Sequence, residues 1–489
     1  DKDLAGKALS KKWSDLSAQL REAKSRKFSE LDNELFTMVF EPRRDQGNQE
    51  NECAVCGREH PGTKTKNNRN ICPQCESYED LGKDLRNAQF LRISRIPEQG
   101  ISDDDPPGKV ETALAYFGVR ARLYGSLKKM NEDVKVLEGM IRSVVYALRD
   151  DVLDDLANEA HTAVGRRFFV NVTPVIDNIQ ELERLRTAKV EDLPDEKDVQ
   201  SDGGAVKTFS ALECEADSGF KRLGILRMDV DSMGEIISEG LGEKANLARI
   251  ANLSFMINLF FEGWAAELAR KYNREGGNET DTVYSIYSGG DDLFFVGAWD
   301  RIPELALEIR NDLAMFACHH PGIHASAGIA LVGGKYPLYQ AAEDAHEALE
   351  KSKDRDGKNA ITFLGQTMSW EQFANEVKPL ADRLKELIKK DIVPRSLVQR
   401  LQRFQIEFQE KQEEARSRGE AETKLGEEQV LWGPWNWHAA YYLKRAKSRA
   451  KEESAKDTIE EIHNKLGGEN FRAIEWIGLM ARWVNLLTR

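Results

Sequence analysis

The chain has 489 residues, of which 70 are Lys or Arg and 83 are Asp or Glu, so its formal net charge is −13. At roughly 100–200 residues per domain this length predicts about three domains, and the acidic balance excludes a polynucleotide partner except through a local basic surface. No apolar run approaches the ~18 residues of a membrane span, and the charged N-terminus, DKDLAGKALSKKW, is unlike a signal peptide. We therefore expect a cytoplasmic protein with no membrane partner. Because the first residue is not Met, we also expect further residues upstream in the full protein.

The first part of the chain is predicted to be a helical and small α/β region. Apolar residues at helical spacing over 4–40 predict an amphipathic helix, and alternation over 89–97 predicts a strand. The pattern over 109–160 favours helix, and 166–176 is a second strand candidate. The Pro, Gly and charge content of 191–204 predicts a linker to the next domain.

Four cysteines between the first helix and the first strand form two C-x-x-C pairs. The spacing of Cys53, Cys56, Cys72 and Cys75 is that of a four-thiolate zinc site. A redox role is the alternative, but it requires one pair at a helix N-terminus after a strand. Since four protein ligands leave no open position on the metal, we predict a structural Zn²⁺ within 53–75.

Strands and helices alternate in the next part of the chain. Strands are predicted at 222–230, 282–287, 293–298, 323–331 and 359–364, and helices at 243–272, 301–317 and 338–352. A hairpin inside this alternation predicts an antiparallel-containing sheet with helices on one face, the ferredoxin-like plan. The fold class is therefore α+β. The predicted domains are 1–190 with the zinc module, the linker, a ferredoxin-like palm over 205–369, and an all-helical C-terminal domain over 370–489.

A hairpin with carboxylates at its tip is predicted in the run YSIYSGGDDLFFVGAW. Gly289 and Gly290 supply unusual backbone angles and leave room for a nucleotide to lie against the chain. Asp291 and Asp292 follow, and two adjacent carboxylates are hard to hold together unless cations neutralise them. Taken alone, the motif is equally compatible with a plain β-turn.

A second acidic motif, RLGILRMDVDSMG, places Asp229, Asp231 and Gly234 at the end of an apolar strand. If this strand lies beside the hairpin, three acidic groups meet and can hold two Mg²⁺ or Mn²⁺ ions. One ion activates an attacking hydroxyl, and the other holds a triphosphate and its leaving pyrophosphate. Lys353 and Lys358, near the end of a later helix, are candidates to bind that triphosphate, although solvated charge at a helix C-terminus explains either lysine alone.

In this order the motifs resemble the large, palm-containing subunit of type III CRISPR RNA-guided effector complexes, of the III-A kind. The shared features are the helix at 8–28, the C-x-x-C pairs, LRMDVDSMG, the SGGDD hairpin, ASAGIAL at 325–331 and GPWNWHAAYYL at 433–443. The middle of the chain is also similar to the GGDEF diguanylate cyclases. That group usually has Glu-Phe where this chain has Asp292-Leu293, which favours the CRISPR subunit.

The resemblance implies a nucleotidyl-cyclase-like palm that joins ATP into cyclic oligoadenylates, second messengers of antiviral defence, when target RNA is bound. It implies that Asp229, Asp291 and Asp292 are catalytic and hold magnesium, that Ser288 lies near the base or ribose, and that Lys353 reaches phosphate. The nucleotide-binding set is completed by Gly289, Gly290, Asp231, Gly234 and Lys358.

The resemblance also implies partners. These are the small subunit, the subunit that binds the 5′ end of the guide, the guide RNA and the target RNA. Basic residues at 389–390 and 444–451 in the C-terminal helical domain are candidate contacts to the guide–target duplex and the small subunits, and a solvated helix surface explains them equally well. The aromatic segment of Trp432, Trp435, Trp437, Tyr441 and Tyr442 is predicted to be domain core more than a stacking surface.

Two departures from the family pattern limit these expectations. The chain has no His-Asp dipeptide, so DNA cleavage by this chain is not expected. A first palm normally precedes the zinc module, and this sequence starts at about that palm's end. A nucleotide- and RNA-binding scaffold without turnover is therefore the alternative function, and a diguanylate cyclase is a weaker one.

Overall fold

The computed structural model describes residues 6–27, 29, 34, 37, 47, 49–66, 69–96, 110–133, 142–157, 164–201, 203–417, 434–468 and 473–489. The chain divides into two compact units, one of Asp1–Asn171 with Gly242–Leu247 and the other of Val172–Leu241 with Ala248–Arg489. Within the described ranges, no helix combines the length and the hydropathy that a membrane span requires.

The first unit contains a four-stranded sheet and a small hairpin. Its helices are α1 (Gly6–Ser25), α2 (Pro73–Asn87), α3 (Val110–Tyr116), α4 (Leu127–Glu132) and α5 (Leu153–Ala157), and its strands are β1 (Lys64–Lys66), β2 (Arg69–Ile71), β3 (Phe90–Arg95), β4 (Val119–Tyr124), β5 (Arg142–Ala147) and β6 (Val164–Arg166). The sheet has the order β4-β3-β5-β6, with β5 and β6 parallel and the other neighbours antiparallel. Phe90, Met130 and Leu156 lie in its core.

The structure corrects the sequence predictions for this unit at two places. Residues 109–160, predicted mainly as helix, contain β4 and β5, because pairing on both sides of β3 decides the conformation of these short runs more than local periodicity does. Residues 166–176, predicted as one strand, are strand only near their ends. The predicted helix at 4–40 is helical over α1, and most of its remainder lies outside the described residues.

The second unit contains the largest sheet and all the later helices. Its strands are β7 (Val175–Ile176), β8 (Ala205–Val206), β9 (Leu223–Val230), β10 (Val283–Gly289), β11 (Asp292–Ala298), β12 (Ala325–Val332), β13 (Ala360–Phe363) and β14 (Gln366–Ser369). Its helices are α6 (Ile179–Thr187), α7 (Glu196–Val199), α8 (Phe209–Glu213), α9 (Met233–Ser238), α10 (Leu247–Asn258, whose first residue belongs to the first unit), α11 (Ala265–Arg270), α12 (Ile302–Phe316), α13 (Leu338–Lys353), α14 (Trp370–Gln372), α15 (Lys378–Lys389), α16 (Arg395–Ser417), α17 (Pro434–Arg449), α18 (Glu453–Gly467) and α19 (Ala473–Leu487). Two π-helical segments occur at Leu259–Trp264 and Phe373–Val377.

The segment 191–204, predicted as a linker, packs within the second unit. It contains α7, and Val199 is buried in one cluster with Leu182 and Ala205. At Gly204 the backbone has a φ of +66°, and a Cβ there would lie 2.6 Å from the carbonyl oxygen of Ile176. The segment is therefore held by core contacts, and the domain boundaries drawn around it stay predictions.

The large sheet has the order β10-β11-β9-β12-β13-β14. Its first four strands are antiparallel to one another and have the ferredoxin-like order, and each is predicted within two residues of its observed bounds. Strand β13 then pairs in parallel with β12. A parallel pair needs a crossover, which is supplied here by α13.

Helices cover both faces of this sheet, which corrects the prediction that they pack on one face. A Cβ at Gly224 would lie 2.9 Å from Ile302 of α12, whereas a Cβ at Gly328 would lie 2.2 Å from the backbone nitrogen of Leu349 in α13. Gly328 pairs with Arg227, three residues from Gly224, so the two glycines face opposite ways. The crossover helix α13 therefore covers the face opposite α12.

The residues described after β14 are helical, as predicted, and pack on the sheet. Trp483 of α19 stacks on Phe373, with 5.6 Å between ring centroids, and meets Phe363 of β13 edge-on at 5.4 Å. The aromatic segment before it is divided. Trp435 is buried against Phe408, Trp437 and Tyr441 are 70% and 69% exposed, and Trp432 lies outside the described residues.

Candidate metal and nucleotide site

The Gly-Gly-Asp-Asp motif forms a two-residue turn between β10 and β11. Gly289 pairs with Asp292 as the last rung of the ladder, so the turn consists of Gly290 and Asp291. Gly290 has a φ of +68°, whereas Gly289 lies in ordinary strand conformation. The expectation of unusual backbone angles at both glycines is therefore corrected, because a turn of this length needs a positive φ at its first residue.

Three carboxylates meet where this turn lies beside the end of β9. Asp292 pairs with Asp229 across the ladder, and the backbone N–H of Val230 donates to the carbonyl of Asp291 at 3.0 Å. The sequence predicts this meeting only if β9 lies beside the hairpin, and β9 does pair with β11. Backbone pairing of β9, β10 and β11 therefore brings Asp229, Asp291 and Asp292 to one end of the sheet.

The surroundings of the turn oppose ionisation of its two carboxyl groups. Burial raises the pKa of Asp291, and the charges of Asp229 and Asp292 raise it further. Burial also raises the pKa of Asp292, against the opposing effects of the Tyr287 hydroxyl and the Arg227 guanidinium. A divalent cation removes this repulsion, and carboxylate oxygens are ligands that Mg²⁺ accepts, so the donor set fits magnesium.

Both predicted phosphate-binding lysines reach the end of β9. The ammonium of Lys353 lies 2.8 Å from Oδ2 of Asp229, and that of Lys358 donates to Oγ of Ser232 at 2.9 Å. Ser232, Lys358 and Asn359 have φ values of 54°, 48° and 46°. Such left-handed backbone is uncommon for residues other than glycine and concentrates at functional sites.

Asp231 lies in a buried network of protein partners. Its Oδ2 lies 2.6 Å from Nδ1 of His324 and accepts hydrogen bonds from Oγ of Ser326 at 3.0 Å and the backbone N–H of Asn359 at 3.1 Å. These contacts tie the loop that carries Lys358 to β9 and β12. The geometry therefore supports an anchoring role, and nucleotide binding by Asp231 stays a prediction.

Ser288 and Gly234 are two further predicted positions. Oγ of Ser288 donates to the carbonyl of Phe261, at 2.7 Å, inside the first π-helical segment. A Cβ at Gly234 would meet no atom within 4 Å, so Gly234 lies next to open space. Nucleotide binding by Ser288 and by Gly234 stays a prediction.

Sequence reasoning missed two side chains of the site. Arg227 lies 5.9 Å over the ring of Phe294 on the same side of the sheet as Asp292, and the hydroxyl of Tyr287 donates to the carbonyl of Gly289 at 3.0 Å. Strand alternation could have found Arg227, which is two residues before Asp229 in an apolar strand. The orientation of Tyr287 follows from a register shift between Ser285 and Tyr287, for which the sequence has no signal.

The four predicted zinc ligands converge in the first unit. All four sulfurs, of Cys53, Cys56, Cys72 and Cys75, lie within 4.8 Å of one another. Burial raises the pKa of the Cys53 thiol, but backbone N–H groups that include those of Cys56 and Cys72 outweigh burial and lower it to about 6. Four thiol groups at this separation fit a tetrahedral zinc ion, so the cluster can bind one.

The second palm domain of Cas10/Cmr2 is the protein family that matches residues 222–362. A relative from Methanocaldococcus jannaschii, the CRISPR system single-strand-specific deoxyribonuclease Cas10/Csm1 (subtype III-A), is 29% identical over 392 residues, which cover 74% of this chain and 44% of the relative. The protein of the same name from Mycobacterium tuberculosis is 32% identical over 172 residues, which cover 33% of this chain and 21% of the relative. The chain thus spans less than half the length of these relatives.

Solved structures share the fold. The apo Csm1-Csm4 cassette has a TM-score of 0.58 at 15% identity and covers 99% of this chain and 54% of the other. The Csm1-Csm4 cassette in complex with AMPPNP has a TM-score of 0.51 at 17% identity, covering 86% and 49%. At these sequence identities the similarity shows a shared fold alone.

Proposed function

Since the chain is a homologue of the Cas10/Csm1 large subunits of subtype III-A CRISPR systems, we propose that its palm joins ATP into cyclic oligoadenylates within an RNA-guided effector complex. The observation that carries this proposal is the meeting of Asp229, Asp291 and Asp292 inside the matched palm, with Lys353 beside them. Phosphoryl transfer asks a protein chiefly to position its reactants and neutralise charge, and these residues can do both.

The places of these residues in the sheet support the role that we propose for each. Asp229, Asp291 and Asp292 would hold two Mg²⁺ ions, and the bound ions would supply activation of the attacking 3′-hydroxyl and charge stabilisation of the leaving pyrophosphate. Lys353, whose ammonium lies beside Asp229, and Arg227, whose charge acts on Asp292, bind the phosphates. Gly290 exposes its backbone at the turn, where no Cβ hinders a nucleotide.

Adenine nucleotides are supported as substrates by the structural neighbours. Csm1-Csm4 cassettes that share this fold have been solved with one ATP, with pppApA and with cA3, at TM-scores of 0.53 for each. The same structures place a Csm1 subunit with Csm4. By analogy, this chain assembles with other effector subunits, a guide RNA and its target.

Cleavage of single-stranded DNA is the activity that the names of the sequence relatives state for those proteins. This chain covers 44% of the M. jannaschii relative. The proposal for this chain is therefore limited to nucleotidyl transfer, the chemistry for which its own palm has the residues.

The test combines the chain with its partner subunits, a guide and a complementary target RNA, ATP and Mg²⁺, and identifies the products by mass spectrometry. We expect cyclic adenylates that require the target and disappear in the Asp291→Asn, Asp292→Asn double variant. Asp457→Asn, which removes an exposed carboxylate of α18, is the matched control and keeps the activity.

Three outcomes contradict the proposal. Bound nucleotide without product makes the chain a scaffold, product formed from GTP alone makes it a diguanylate cyclase, and product that persists in the double variant removes the carboxylates from the chemistry.

A further inference from the structure

A groove of about 680 Å³ opens among the C-terminal helices. Its residues lie about 100 or more positions after the palm carboxylates in the sequence. Its walls are α17, the first half of α18, the segment that joins α15 to α16, and the first turns of α16. Five cationic side chains line it: Lys390, Arg400, Arg445, Arg449 and Lys451. Asp391 and Glu452 are the acidic residues of its wall, so the lining has an excess of positive charge.

The five cations are exposed and lack carboxylate partners within the described part of the chain. None of them forms an ion pair at 4.0 Å or less with a described residue, whereas Lys447 on the same helix lies 2.6 Å from Glu460. In a chain of net charge −13, cations placed together without local carboxylates create a local positive potential. The groove therefore favours an anionic ligand.

Aromatic rings accompany these cations. Tyr441 is 69% exposed at the groove, and the guanidinium of Arg400 lies 5.8 Å over the ring of Tyr442. Val393 and Leu397 form a buried apolar floor. Sites that bind single strands combine a cationic groove, which follows the backbone, with rings on which bases stack.

We propose that this groove binds a single-stranded polynucleotide, with phosphates on Arg445, Arg449 and Lys451 and a base on Tyr441. Its volume lies within the range of small-ligand pockets, about 300–1,000 Å³, which is enough for part of one strand. An acidic peptide would use the cations but not the exposed ring.

The structure also separates residues that are adjacent in sequence. Lys444, Lys447 and Lys389 belong to the same basic runs, yet they do not line the groove, and Lys447 is paired. Arg445 and Arg449, one helical turn apart, face it together. This arrangement supplies a matched pair of variants on one helix.

The experiment measures the anisotropy of a labelled 12-nucleotide single-stranded RNA titrated with the full chain. Arg445→Ala, Arg449→Ala should weaken binding about tenfold and reduce the salt slope by about 1.4, since each phosphate contact on a single strand contributes about 0.7. Lys444→Ala, Lys447→Ala removes the same charge outside the groove and should change binding less than twofold. Tyr441→Ala should weaken binding at least fivefold, because stacking on an aromatic ring is lost.

Single-stranded DNA of the same sequence is the second arm. Binding of both strands supports recognition of backbone and base faces, and binding of RNA alone supports an added contact to the 2′-hydroxyl. Equal affinity of the two double variants overturns the proposal. Tighter binding of duplex RNA, or of a polyglutamate peptide whose binding is lost in the same groove variant, also overturns it. Because the readout is binding alone, its failure is independent of the nucleotidyl transfer proposed for the palm.

Discussion

Asp291 and Asp292 are held where ionisation is unfavourable, so the turn gives up stability in the absence of a cation. Their ordinary pKa is 3.8, and burial with neighbouring carboxylates raises it in the folded chain. The folded chain then binds these protons more tightly than the unfolded chain does. The stability contributed by these groups is therefore fully present below about pH 4 and is lost as the pH rises through the raised pKa values.

We accordingly predict that Asp291→Asn, Asp292→Asn raises the melting temperature of the metal-free chain at pH 7 by about 1–3 °C. Added Mg²⁺ should stabilise the wild-type chain and not the variant, because only the wild type keeps the ligands. Differential scanning calorimetry at pH 7 with and without Mg²⁺ checks both statements. At pH 4 the difference should shrink, and a variant that is less stable than the wild type at pH 7 would contradict the assignment.

The sequence predicts the positions of the three carboxylates but not the contacts of Asp231. Asp229 and the turn carboxylates follow from apolar strands that end in acidic residues, a pattern visible without a structure. The anchoring of Asp231 does not, because His324 and Ser326 are about 90 residues away and only the pairing of β9 with β12 brings them close.

Among the described elements, the cysteine module is one whose fold we expect to depend on a bound ion. Its strands β1 and β2 have three residues each, and its core consists of cysteines and Ile71. A core of this size cannot stabilise a hairpin alone, so we predict that metal binding supplies folding free energy.

We predict one zinc per wild-type chain and none in Cys53→Ser, Cys72→Ser, measured by atomic absorption. Cys318→Ser, an exposed cysteine outside the cluster, should keep the zinc. Removing the metal with a chelator should speed proteolysis between Arg58 and Arg69, because the hairpin loses its stabilising ligand bonds. Wild-type protein that resists proteolysis equally without zinc would refute the structural role.

Elements were predictable where local pattern and tertiary contacts agree. Strands β9 to β12 carry long apolar or alternating runs, and their bounds followed from the sequence. The bounds of β4 and β5 did not follow from the sequence, because these strands are stabilised by pairing with β3, which is distant in the chain. The face that α13 covers also escaped prediction, since it depends on β13 joining β12 in parallel.

At the scale of the second unit, the helices after β14 and the palm sheet share one aromatic contact region. Trp483 is buried between Phe363 of the sheet and Phe373 of the second π-helical segment. We predict that Trp483→Ala lowers the free energy of unfolding by about 3–5 kcal/mol, the usual cost of emptying a buried tryptophan site.

Urea denaturation followed by circular dichroism checks this value. Trp437→Ala removes the same side chain from an exposed position of α17 and should cost less than about 0.5 kcal/mol. Equal effects of the two substitutions would show that Trp483 does not join the helices to the sheet.

The two-residue turn has a consequence for control. The separation of Asp229 from Asp292 is set by hydrogen-bonded strands. The turn between Gly289 and Asp292 has only two residues, so its backbone has little freedom to change conformation. The three carboxylates are thus preassembled before any substrate arrives. Under the proposed function, pairing of the guide with target RNA would therefore not be needed to assemble the carboxylates. It would act instead by admitting or aligning the second nucleotide.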